Sequence, residues 1–111
     1  RDALRAQGIL SAKELEAEKQ GAVVTTAGMV IVRQHPMTAK GFVFLTLEDE
    51  TGMSQAIVSP DLFRHNRDLI VGNPGLIVEG HLQHGGGQIS VRALGFRPLP
   101  MEVGVKSHDF H

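Results

Sequence analysis

Gly41-Phe42-Val43-Phe44-Leu45-Thr46-Leu47-Glu48-Asp49-Glu50-Thr51-Gly52-Met53-Ser54-Gln55-Ala56-Ile57-Val58-Ser59 is the stretch on which the fold turns. Residues 41–48 alternate an aliphatic set, Val43, Leu45 and Leu47, with a mixed set, Phe42, Phe44, Thr46 and Glu48. That two-residue period belongs to a strand with one buried face. Residues 53–59 read as a second strand, and the joint between them is short, polar and closed by Gly52, so the pair forms an antiparallel hairpin. The aliphatic set is the better core. Phe42 and Phe44 are left on the outer face, with Gln55 and Ile57 in register across the hairpin.

The flanking segments extend the same pattern. Residues 23–33 form a long strand with Gly28 in its interior, where a missing side chain marks a bulge or a sharp bend. A bend there lets one strand serve both ends of a closed sheet. Residues 76–83 and 88–94 are two more strands, joined by His84-Gly85-Gly86-Gly87 as a second hairpin with a mobile tip. Between the hairpins, Ser59 as N-cap, Pro60 in the first turn and Asp61 behind it open a helix that Gly72 and Pro74 close. Leu62, Phe63, Leu69 and Ile70 fall on one face of it, so it plugs one end of the sheet. Three strands, a helix and two strands, without repeats, predict a mainly β class: five antiparallel strands in an OB-fold barrel.

Residues 1–20 differ in kind, being rich in Ala, Leu, Glu, Lys and Gln. Ser11 with Glu14 as capping-box partner predicts a helix from there to about Gln20. Leu10 and Leu15 are few anchors for deep burial, which predicts a linker or packing helix shared with a neighbouring domain. The expected organisation is an N-terminal helical extension over 1–20, the OB-fold over 21–98 and a C-terminal tail over 99–111.

A chain of 111 residues with 41% hydrophobic content suits one core. The absence of cysteine excludes disulfides, thiolate-ligated zinc and a thiol nucleophile, and leans towards a cytoplasmic setting. Eleven Lys and Arg against twelve Asp and Glu give a net charge of −1, so any nucleic-acid binding is local, weak and salt-sensitive. The apolar runs are far short of the roughly 18 residues needed to cross a bilayer, so no membrane partner is expected. The start at Arg1, with neither initiator Met nor signal segment, reads as a piece of a longer protein.

In an OB-fold, nucleic acid lies on the face of strands two and three, between the loops that join strands one to two and four to five. Arg33 and Lys40 in the first loop are candidates to neutralise phosphates, and Gln34 and Thr38 to hydrogen-bond them. By composition alone the same loop is an ordinary solvated one. Phe42 and Phe44 are candidate stacking rings, with Thr46 and Gln55 beside them, or else one ring packs under a loop or helix. His84 and Gln88 mark the second loop, and Arg92 and Arg97 extend the footprint. Arg64 and Arg67 are expected to face solvent. His81 and His84 are three apart on a strand and make a poor chelate, and His108, Asp109 and His111 lie on a terminus without preorganised geometry, so no metal is expected. Glu48, Asp49 and Glu50 read as a solvated tip that repels edge pairing. Gly85–Gly87 has neither the following lysine nor the helix of a phosphate loop, and no nucleophile stands beside a base, so neither a cofactor nor catalysis is expected of this segment.

The run Ala27-Gly28-Met29-Val30-Ile31-Val32-Arg33-Gln34, then Thr38-Ala39-Lys40-Gly41, then Phe44 to Gly52, resembles the OB domain near the C-terminus of bacterial C-family DNA polymerase III alpha subunits. Within that family the error-prone, ImuC-type branch is the nearer likeness. Val78-Glu79-Gly80-His81-Leu82-Gln83 matches its fourth strand, and Ser107-His108-Asp109-Phe110-His111 resembles its terminal Ser-Arg-Asp-Phe-His. Departures are His108 in place of Arg and the glycine tip in place of a more charged loop. The resemblance implies a parent that is a bacterial cytoplasmic DNA-directed DNA polymerase acting in translesion synthesis and repair. It implies single-stranded template DNA as the partner of this segment, and other subunits of a translesion complex as possible further partners. The competing expectation is a protein-interaction module with little DNA binding; an anticodon-binding OB domain fits the 44–52 turn but not the C-terminal motif.

Overall fold

The computed structural model describes residues 2–85 and 87–100. Its elements are α1 (Asp2–Ala6), α2 (Ala12–Leu15), β1 (Val23–Gln34), β2 (Val43–Asp49), β3 (Gly52–Val58), α3 (Pro60–Gly72), β4 (Gly75–Gly85) and β5 (Gln88–Pro98), with a short 3-10 turn at Met37–Ala39. The strands close into a barrel in the order β1-β2-β3-β5-β4, the OB arrangement expected. One seam departs from the antiparallel expectation: β3 and β5 run parallel, over Gln55–Ile57 against Ser90–Arg92. An odd number of strands cannot alternate direction all round a closed ring, so one parallel pair is forced. The Ser107–His111 motif and its two histidines lie outside the described residues.

β1 is shared between two neighbours. Val23–Met29 pair with β4, and Met29–Gln34 pair with β2. Gly28 stands at the handover, where an added Cβ would lie 2.9 Å from the Glu48 carbonyl oxygen. The bend expected at Gly28 is therefore a close crossing of backbones, and the register slip itself falls beyond it, between Val30 and Val32. A second irregularity lies between Glu79 and Gly80 of β4, where a Cβ on Gly80 would meet the Arg92 carbonyl oxygen at 2.2 Å.

Val43, Leu45 and Leu47 are buried as the alternation requires, against Val58, Val78, Leu82 and Val91. α3 covers one end of the barrel with buried Ile70, supported by Leu62, Phe63 and Leu69. Ser59 Oγ accepts from Leu62 N–H at its start, and the Asn73 side-chain amide donates to Leu69 O at its finish. Arg64 and Arg67 are exposed on it, as expected.

The N-terminal segment differs most from expectation. The capping box forms as read, with Ser11 Oγ accepting from Glu14 N–H and Glu14 Oε1 from Ser11 N–H. The helix nevertheless stops at Leu15 instead of reaching Gln20. Of its two expected anchors, Leu15 is fully buried in the barrel core and Leu10 is half-buried against it; Ile9, just before the helix, is also fully buried, in a second cluster with Ala27 and Ile77. A helix continued past Leu15 would run off this seat; instead the chain turns and pairs along β4, with Gly21 N–H donating to Leu82 O and Leu82 N–H to Ala22 O. The 49–52 turn holds the other end of α2. Asp49 Oδ2 accepts from Ala12 N–H at 2.8 Å, Thr51 Oγ1 accepts from Lys13 N–H at 3.1 Å, and Asp49 Oδ1 accepts from the N–H groups of Thr51 and Gly52. The acidic tip is thus a cap on a neighbouring helix and not merely a solvated turn.

Leu15→Ala is expected to cost about 2–5 kcal/mol, the range for emptying a core leucine site, read as a lowered urea midpoint. The Ser11 backbone N–H, followed by the Arg5 guanidinium, holds the Glu14 carboxyl below the ordinary carboxylate range. That contribution is present above the unfolded carboxylate pKa and is lost as pH falls through the lower folded one. Between neutral pH and about pH 3 the urea midpoint of Glu14→Gln should therefore fall less than that of the wild type.

Candidate nucleic-acid interface

Burial of the aliphatic set leaves an outer face on β2, β3 and β5 whose rows follow from the pairing. Phe44 stands opposite Ile57, which stands opposite Arg92; in the next row Thr46 faces Gln55, which faces Ser90. The register expected for Gln55 and Ile57 is the one observed. Phe44, Thr46, Gln55, Ile57 and Ser90 are half-buried, and Arg92 and Gln88 are exposed. Phe42 precedes β2 instead of lying within it, its N–H donating to Ala39 O. Its half-buried ring lies under the Arg92 guanidinium, 6.0 Å from carbon to centroid, so these two candidates from distant parts of the chain meet as a cation–π pair.

The face is graded in charge. Arg92 and exposed Lys40 stand at the Phe42–Phe44 end, whereas Glu48, paired with Met53, ends the opposite side. Lys40 holds a left-handed backbone, φ 54°, where the chain turns into β2. A polyanion laid on this face is drawn to its aromatic end, and flat rings there offer bases a partner of either purine or pyrimidine type.

Three candidates are engaged elsewhere. The slip after Val30 inserts one extra residue, so Val32 and Gln34 face outward opposite Thr46 and Phe44 while Arg33 aligns with inward-facing Leu45. Arg33 Nη2 accordingly donates to Ile70 O at 3.2 Å at the C-terminal end of α3. His84, at the far hairpin, donates from Nε2 to Glu18 O at 2.9 Å, while its backbone N–H donates to Gln20 Oε1 at 2.7 Å. His81 Nδ1 likewise donates to Gly21 O at 3.1 Å, so both rings strap the N-terminal segment to β4. Arg97 lines a separate cavity of about 220 Å³ with Thr25, Ile77, Glu79, Gly95 and Phe96, away from the Phe44 rows. Among the described residues, no three His, Asp or Glu side chains gather as a metal site, and no helix is long and apolar enough to cross a membrane.

Residues 24–99 match a family described as the OB-fold nucleic acid binding domain. The chain is 39% identical over 113 aligned positions to an error-prone DNA polymerase of Anaeromyxobacter dehalogenans, covering 100% of this chain and 10% of that protein. It is 44% identical over 103 to an error-prone DNA polymerase of Caulobacter vibrioides, covering 93% of this chain and again 10% of the relative. It thus spans about a tenth of the length of the curated relatives it matches. Among solved structures, asparaginyl-tRNA synthetase from Pyrococcus horikoshii superposes with a TM-score of 0.63 at 23% identity, over 80% of this chain and 22% of that one, a likeness of fold.

The Asp49 geometry supplies a test of how the face is held. Asp49→Ala removes the acceptor for the Ala12, Thr51 and Gly52 N–H groups and should cost about 2 kcal/mol, seen as a lowered thermal midpoint.

Proposed function

Because the chain belongs to the OB-fold nucleic acid binding domain family, we propose that it is the module with which an error-prone bacterial DNA polymerase holds single-stranded template DNA. The observation that carries this reading is the juxtaposition of Phe42, Phe44 and Arg92 on the β2–β3–β5 face, with Lys40 at its edge. Bases stack on the Phe44 ring and against the Arg92–Phe42 pair, each contact worth about 1–3 kcal/mol. Lys40 and Arg92 take phosphates. Gln34, Thr46, Gln55 and Gln88 hydrogen-bond base edges or sugar, which suits a sequence-tolerant grip. The identity to error-prone DNA polymerases supports the parent assignment. Template-directed nucleotidyl transfer, translesion synthesis, a role in repair and a cytoplasmic setting all belong to that proposed parent.

The scarcity of cations on the face makes the grip weak, as befits a strand that must slide through. It also favours a second reading, in which the domain docks another subunit of a translesion complex. Fluorescence anisotropy with a labelled oligothymidine separates the two. Saturable binding should weaken about 5- to 150-fold on Phe44→Ala, the ratio that one lost stacking contact represents. Lys40→Ala should lower the slope of log K against log salt by about 0.7, the share of one phosphate on a single strand. A folded domain that does not bind at low salt would favour the docking reading.

A further inference from the structure

We infer that Arg33 is a positioning residue, which braces the β1–β2 loop along α3 and thereby sets where Lys40 and Phe42 stand; the DNA part of this inference rests on the function proposed above. Three separate contacts lay the loop on that helix. At its entrance the Arg33 guanidinium donates to Ile70 O at 3.2 Å and reaches Asn73 O at 3.5 Å, taking carbonyls that the last turn of a helix leaves without partners. One step along, the His35 ring meets Phe63 edge-on, with centroids 5.3 Å apart and planes at 82°. At the exit, Gly41 lies so close to the first turn of α3 that an added Cβ would be 3.1 Å from Pro60 Cγ.

These contacts span the helix from Pro60 at one end to Ile70 and Asn73 at the other. Between them the chain makes only a short 3-10 turn, in which Met37 is 97% exposed and makes no hold of its own. The loop's position is therefore set by α3 and not by its own packing. Arg33 has no place on the outer face, because the slip after Val30 turns it to the side of Leu45. Its charge favours the negative end of the helix dipole in the same place.

A phosphate contact and a brace differ in salt dependence and in what they do without DNA. Arg33→Met should lower the heteronuclear ¹H–¹⁵N NOE of residues 37–41 in the free protein while leaving that of β2 and β3 unchanged. It should weaken oligothymidine binding about fivefold, the ratio of one ordinary hydrogen bond, equally at every salt concentration. Phe63→Leu, which stays apolar and changes no charge but removes the ring that His35 meets, should loosen the same residues and weaken binding in the same way. The two effects should combine less than additively, because both act through one loop. Unchanged NOE values in Arg33→Met, or a salt slope reduced by about 0.7 as for a lost phosphate contact, would overturn the inference. Should the wild-type protein bind no DNA, the functional reading fails on that count, and the NOE comparison still decides whether Arg33 holds the loop.

Discussion

β1 is obliged to serve two neighbours, and most of the molecule follows from how it does so. Its first half is hydrogen-bonded to β4 and its second half to β2, and the exchange is made where Gly28 lets the Glu48 backbone approach to a distance no side chain permits. Immediately beyond, one extra residue enters the strand, and every side chain after it changes sides. Gln34 goes to the outer face beside Phe44, and Arg33 goes to the helix. A strand without that slip would align Arg33 with the outer face beside Phe44 and take its guanidinium away from the Ile70 carbonyl of α3.

The outer face is in turn a by-product of the core. Burial of Val43, Leu45 and Leu47 fixes which side Phe44 and Thr46 take, and the short parallel seam between β3 and β5 brings Arg92 into the row of Phe44. The N-terminal segment completes the frame from the other end. It is pinned by Leu15 in the core, by the Asp49–Thr51 cap and by the two histidines of β4, so that the β2–β3 turn and the β4–β5 hairpin are tied to one piece of chain. The frame carries an aromatic strip of low charge, which is what the proposed sequence-tolerant grip on a strand calls for.

The barrel was legible because its signals are local: alternation in 41–48, a glycine-closed turn, and the Ser59-Pro60-Asp61 helix start each act within a few residues. Gln55 and Ile57 read as cross-strand neighbours of the outer face because one short turn joins the two strands. What local reading missed depended on distant partners. The end of α2 at Leu15 is decided by a seat in the barrel core and by pairing with Leu82, neither of which is written in residues 11–20. The acidic turn reads as a solvated tip until the N-terminus of α2 is brought against it. Arg33 reads as a phosphate ligand because its loop is the right loop; its hydrogen bond to Ile70 O follows from a slip that Gly28 announces only approximately. The pairing of Phe42 with Arg92 joins residues on β2's threshold and on β5, and no spacing in the chain signals it.

Whether single-stranded DNA lies across the β2–β3–β5 face, as proposed, is decided by amide chemical-shift mapping of the ¹⁵N-labelled domain titrated with oligothymidine. Progressive shifts are expected on that face and its edges, at Gln34, Lys40, Phe42, Phe44, Thr46, Gln55, Ile57, Gln88, Ser90 and Arg92, with the Thr25, Ile77, Glu79 and Arg97 amides unmoved. Shifts centred on that second group, or none at saturating DNA, would contradict it.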